Sequence, residues 1–268
     1  MKLLAALILS ACLAAAQKPP VPKTADGKPD FSGVWQGGGA GGLSFAIGAE
    51  NAKAARPDGA PAPGGTGAAS GAARPEPPPY QDWVQPRLKE LRDRRAIDDP
   101  DNRCLLAGIP RITGMPLPLK IVQTKDEVIF MYETFHAFRV IPTDGRGHPD
   151  DLDPSFLGDS VGRWEGDTLV VDVIGFNDKT WLGNGATIHS DALHVVERYQ
   201  RVDYNTITYN VTLEDPKMFT KRWTLAPSFL TLRPGERLRE YECIADNQDL
   251  QRFEELLKTP TVFVRPPQ

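Results

Sequence analysis

The 268-residue chain predicts an all-β fold, an antiparallel barrel with one or two peripheral helices. Three observations carry this. Past residue 119 the sequence breaks into short β-branched and aromatic runs, such as VIFMYE at 128–133, each bounded by turn-forming residues. Two of the breaks, Glu165-Gly166-Asp167 and Asp203-Tyr204-Asn205, have the composition of hairpin turns. No helical pattern alternates with these runs, so the βαβ units of a nucleotide-binding α/β sheet are not expected.

Taken in order, the stretch 29–36 (PDFSGVWQ) reads as a first strand ending in Trp35-Gln36. Residues 37–79 follow, and 30 of these 43 are Gly, Ala or Pro, too few large side chains to offset the entropy of ordering. A disordered insertion is expected there, with the barrel domain over residues 80–268. Residues 82–96 predict a helix of about three turns, with Pro86 in its first turn and Trp83, Leu88, Leu91 and Ile97 near helical spacing. Strands are expected at 120–124, 128–133, 135–141, 160–164, 168–176, 193–202, 206–213, 221–225, 230–232 and 238–245. The sequence LQRFEELL at 250–257 has a short helical pattern.

The N-terminus bears on compartment. Residues 1–17 (MKLLAALILSACLAAAQ) hold one lysine, an apolar run and an A-x-A site, the pattern of a signal peptide over residues 1–16. The run is too short to span a bilayer. Leu9-Ser10-Ala11-Cys12 also fits a bacterial lipobox, which would make Cys12 a lipid anchor; a soluble periplasmic or secreted product is the reading favoured. Export would leave Cys104 and Cys243, which an oxidising compartment would join in one disulfide, the alternative being two buried thiols. The net charge of −4 without a basic run argues against nucleic acid as partner.

Several motifs resemble known proteins. Phe31-Ser32-Gly33-Val34-Trp35 is similar to the G-x-W opening strand of lipocalin-like (calycin-type) barrels. A wider resemblance rests on Asp144-Gly145-Arg146 with His148-Pro149, WEGDTLVVD at 164–172, Gly175-Phe176-Asn177, Thr180-Trp181, HSDALHVVERY at 189–199, and Glu214-Asp215-Pro216 with Phe219-Thr220 and Trp223. These resemble a family of exported bacterial proteins. The resemblance implies a barrel fold and export and implies no particular chemistry. One departure is Leu105-Leu106-Ala107, where members of that family often carry prolines after the cysteine that Cys104 matches.

The chemistry-bearing stretch is GATIHSDALHVVERY at 185–199. His189 and Asp191 are expected at the barrel mouth and His194 one step inside, because a polar cluster at a barrel mouth is where a ligand meets side chains. Imidazole titrates near neutrality, so His189, Asp191 and His194 are the candidate catalytic residues for acid–base chemistry. Asp172 is a candidate for orienting an imidazole. Arg139, Arg198 and Tyr132 are candidates for holding an oxyanion or ligand. Trp181 lies in a polar loop and needs a docking surface, which the cavity mouth would provide. The competing reading has the histidines capping the loop by hydrogen bonds to backbone.

The metal reading, through His189, His194 and Glu197 or through His148 and Asp150, is a minority alternative: H-x4-H-x2-E matches no standard zinc motif, and alternation sends His194 and Glu197 to opposite strand faces. No metal and no cofactor is expected. No G-x-S-x-G elbow is present, and Ser190 cannot form a triad with its own neighbours. The predicted function is an exported small-molecule-binding barrel, with possible lyase, isomerase or hydrolase activity on a small organic or sugar-derived substrate. The alternative is a non-catalytic lipocalin-like carrier or extracytoplasmic interaction module.

Overall fold

A computed structural model describes residues 19–37, 76–183 and 185–243, with five further residues between 251 and 258. The signal-peptide pattern, Cys12 and nearly all of the Gly/Ala/Pro-rich block lie outside the described residues, as does half of 250–257. Ten strands form one sheet: β1 (Gly33–Gln36), β2 (Pro118–Gln123), β3 (Glu127–Tyr132), β4 (Phe138–Pro142), β5 (Asp159–Glu165), β6 (Thr168–Ile174), β7 (His194–Asp203), β8 (Thr206–Glu214), β9 (Trp223–Thr224) and β10 (Ser228–Leu232). They roll into a nearly closed barrel in the order β4-β3-β2-β1-β10-β8-β7-β6-β5.

β9 and β10 occupy one position in that order. Both pair antiparallel with β8, β10 along Thr206–Tyr209 and β9 at Thr212 and Leu213. They are one strand interrupted at 225–227. The ring therefore has nine positions, and every hydrogen-bonded junction in it is antiparallel. Eight reversals leave β4 and β5 pointing the same way, so an odd ring must close on a parallel junction. Among the described residues no backbone ladder joins these two strands.

Side chains close the seam instead. Arg139 Nε on β4 donates to Ser160 Oγ on β5 at 2.8 Å. Gly162 on β5 lies so close to β4 that a Cβ there would sit 2.8 Å from Ile141 Cγ2. Gly162→Ala should accordingly destabilise the barrel by roughly 1–3 kcal/mol through overpacking. A denaturation midpoint unchanged from wild type would show that the seam has slack. A parallel junction also demands a crossover, and residues 143–158 supply it.

Alternation decides what fills the barrel. β7 sends Val195, Glu197, Tyr199 and Arg201 inward and leaves His194, Arg198 and Gln200 outside. Trp35, Phe130, Tyr132, Tyr199 and Tyr209 are buried with them. Tyr199 and Tyr209 stack 4.7 Å apart, and Phe130 lies 5.2 Å from Tyr199. Within this apolar packing sits a charged knot. Arg139 pairs with Glu197, and Glu197 Oε1 accepts from Tyr199 at 2.8 Å and from Tyr209 at 2.6 Å.

The predicted helix is two short helices after a 3-10 turn, α1 (Gln85–Asp93) and α2 (Arg95–Asp98). Val84, not Trp83, joins Leu88 and Leu91 on the buried face, because it stands four residues before Leu88 and seven before Leu91. Trp83 is 63% exposed. The strand expected at 238–245 is absent over its described part, residues 238–243. Backbone donors there go to side chains, Arg239 N to Glu133 Oε2 at 2.7 Å and Tyr241 N to His136 Nε2 at 3.1 Å. Cys104 and Cys243 form the expected disulfide.

Candidate functional site

The β6–β7 loop, residues 175–193, covers one end of the barrel and carries His189. It is held by close packing: Gly108 has φ +68°, and a Cβ on it would lie 2.7 Å from Thr180 Oγ1. That hydroxyl lies 2.7 Å from His189 Nε2, while His189 Nδ1 lies 2.9 Å from the Ser190 carbonyl oxygen. A carbonyl only accepts, so Nδ1 carries the hydrogen and Nε2 accepts from Thr180. His189 is 4% exposed and burial holds its pKa below the ordinary imidazole value. It is a neutral, satisfied core residue.

The other loop residues are also engaged. Trp181 finds its docking surface on Leu91 of α1 and Ala186, a small cluster separate from the main core. Asp191 is at the surface 2.6 Å from Lys217 Nζ, whose hydrogen bond lowers its pKa. Asp215 ties the loop down by accepting from Ser190 N, Ser190 Oγ, Lys217 N and Met218 N.

His194 lies on the outer face of the barrel, not one step inside its mouth, because the inward positions of β7 belong to Val195 and Glu197. The structure brings Asp172 to it. Asp172 pairs with Val196 across β6 and β7, which places it diagonally beside His194 on the same face. His194 Nε2 lies 2.7 Å from Asp172 Oδ2, and Nδ1 lies 3.7 Å from Glu214 Oε2 on β8. The second oxygen of Asp172 faces His148 Nε2 at 3.0 Å, and His148 Nδ1 faces Asp159 at 2.5 Å. Arg222 pairs with Glu214 at the far end.

The result is a row across four strands: Asp159, His148, Asp172, His194, Glu214, Arg222. His148 comes from the crossover 143–158, so the row also pins the crossover to the sheet. Burial pushes the Asp172 carboxyl up, but hydrogen bonds from His194 and His148 outweigh it and hold the pKa below its ordinary value. A carboxyl depressed in the folded state contributes stability that is present above its unfolded pKa, about 3.9, and is lost as pH falls through the folded value. Asp172→Asn should therefore be less stable than wild type at pH 6 and lose less on acidification below about pH 4. Parallel stability curves for the two proteins would refute this.

The remaining candidates separate. Arg139 and Tyr132 are inside the barrel. Arg139 has the charged partner described above, and Tyr132 OH lies 3.3 Å from Thr113 Oγ1. Burial would lower the Arg139 pKa, but Glu197 outweighs it and raises the pKa well above its ordinary value. Burial raises the pKa of Tyr132, and burial with Glu197 raises those of Tyr199 and Tyr209. Arg198 is outside, donating to Glu165 at 2.8 Å. Sequence reasoning missed Asp159, Glu214 and the Glu197 knot, and it weighed His148 only with Asp150. The polar composition of His194, Arg198 and Gln200 was the available signal that this face of β7 is outward.

An open groove of about 580 Å³ adjoins the row, lined by Gln81, Glu214, Asp215, Pro216, Phe219, Thr220, Lys221 and Arg222. Glu214 and Arg222 belong to both. Among the described residues no group of three or more His, Cys, Asp or Glu is arranged to hold a metal ion, and no helix is long and apolar enough to cross a membrane. Fold and site together define an all-β barrel carrying a histidine–carboxylate row on its outer rim. Comparison with known protein families, curated proteins and solved structures finds no match to this chain.

Proposed function

We propose that this is an exported barrel protein that binds a small organic molecule at its outer rim and acts on it by acid–base chemistry. The observation that carries the reading is the Asp172–His194–Glu214 arrangement beside the groove. With Nε2–H donated to Asp172, the lone pair of His194 is at Nδ1, and the side chain is 34% exposed. Nδ1 is then the atom that takes a proton from a ligand, and Glu214 and Asp172 flank the imidazolium that forms. Lyase, isomerase and hydrolase reactions all use such a step. His189, with both nitrogens engaged in the core, is reassigned to holding the loop. The Cys104–Cys243 disulfide and the N-terminal pattern support export.

One observation favours a non-catalytic carrier. Glu214, paired with Arg222, stands between the imidazole and the groove. A turnover screen of sugars, lactones and aromatic esters separates the two. His194→Ala should lower turnover by about 10²–10⁴-fold, the usual contribution of a general acid–base group, with the fold intact by circular dichroism. Turnover unaffected by that substitution would sink the catalytic reading, and binding without turnover would establish the carrier.

A further inference from the structure

We infer that the groove beside the row takes a neutral, polyhydroxylated ligand, a saccharide in its uncharged form. This rests on the rim-binding reading above and names its ligand class. At about 580 Å³ the groove is within the range of small-molecule sites, roughly 300–1,000 Å³. Its lining carries two carboxylates, Glu214 and Asp215, and two cations, Lys221 and Arg222, so the formal charges cancel.

The charges are also committed locally. Lys221 Nζ is 2.5 Å from Glu76 Oε1, and Arg222 pairs with Glu214. Asp215 is buried and accepts the four hydrogen bonds described above, three at Oδ1 and one at Oδ2. An anionic ligand would have to displace Glu76 or Glu214 from its cation. A cation would find Asp215 buried and engaged with the loop, and Glu214 already matched.

A hydroxyl group needs neither displacement. An ammonium has three N–H groups and a guanidinium five, so each ion pair leaves donors for hydroxyl oxygens. Glu214 retains lone pairs for hydroxyl hydrogens. Exposed pairs of this kind contribute only about 0–1 kcal/mol to stability, so their side chains re-aim at little cost. Pro216 is the exposed apolar residue of the lining, available to the C–H face of a sugar ring, while Phe219 is buried behind the lining, 5.1 Å from Tyr80 and 5.7 Å from Trp223.

The test is calorimetric titration of the full-length protein with maltose, cellobiose, digalacturonate and para-nitrophenyl acetate at low and high salt. A neutral disaccharide should bind with an affinity insensitive to salt. Arg222→Ala should weaken it about 3–10-fold, the loss of one or two hydrogen bonds, and Arg198→Ala, on the other side of the outer face, should not. Tighter binding of digalacturonate that falls with salt, disaccharide binding indifferent to Arg222→Ala, or no disaccharide binding would each overturn the ligand class. Failure here is separable from failure of the catalytic reading. A His194-dependent turnover of the ester with no bound saccharide removes only the ligand class. A groove-bound saccharide with turnover indifferent to His194→Ala removes only the catalysis.

Discussion

Glu197→Ala lowers the stability of the barrel by about 3–5 kcal/mol, the cost of leaving a buried partner charged and unpaired. Arg139 is buried, and Glu197 neutralises it while accepting from the hydroxyls of Tyr199 and Tyr209. Removing the carboxylate orphans three donors at once. Removing both charges, as Arg139→Met with Glu197→Leu, should cost less than the sum of the single substitutions, because neither charge is stranded. Arg139 also bridges the β4–β5 junction through Ser160, so the knot and the seam should fail together. Urea denaturation of wild type, Glu197→Ala, the two single substitutions and the double checks this. A loss under about 1 kcal/mol for Glu197→Ala would mean that the knot is more solvated than its burial indicates.

Opening the Cys104–Cys243 disulfide has the second large effect. The bridge joins residues 139 apart and encloses β2 through β10. Cross-linking a loop of that length restricts the unfolded chain, and its loss typically costs about 2–5 kcal/mol. Cys104→Ala with Cys243→Ala should lower the denaturation midpoint accordingly, and the wild type under reductant should match it. Intact mass with and without reductant establishes the bridge in the purified protein. Equal midpoints for oxidised and reduced protein would contradict the prediction.

The strands were legible because their signals are local. A period-2 run ending in Glu165-Gly166-Asp167 or Asp203-Tyr204-Asn205 states both a strand and its turn. The break between β9 and β10, the parallel seam and the crossover depend on where distant strands meet, which no local pattern encodes. Residues 238–243 have strand-like composition, but backbone donors there are taken by the side chains of Glu133 and His136. The site was harder for a related reason. Alternation divides β7 into two faces without saying which is inside. The expectation that a polar cluster marks the barrel mouth put His194 inside, whereas Val195 and Glu197 hold the inward positions. Asp172 and His148 meet His194 only through the β6–β7 register and the crossover. His189 drew attention as a titratable group, whereas its burial between Thr180 and the Ser190 carbonyl makes it structural.

The central claim is that a ligand meets this protein on the outer rim, at the row and its groove, and not in the barrel interior. Amide chemical-shift mapping tests it directly, using a bound compound from the saccharide and ester panel. Perturbations should concentrate at Asp172, His194, Glu214 and residues 219–222. Perturbations centred on Tyr132, Glu197, Tyr199 and Tyr209, with the rim unchanged, would contradict it.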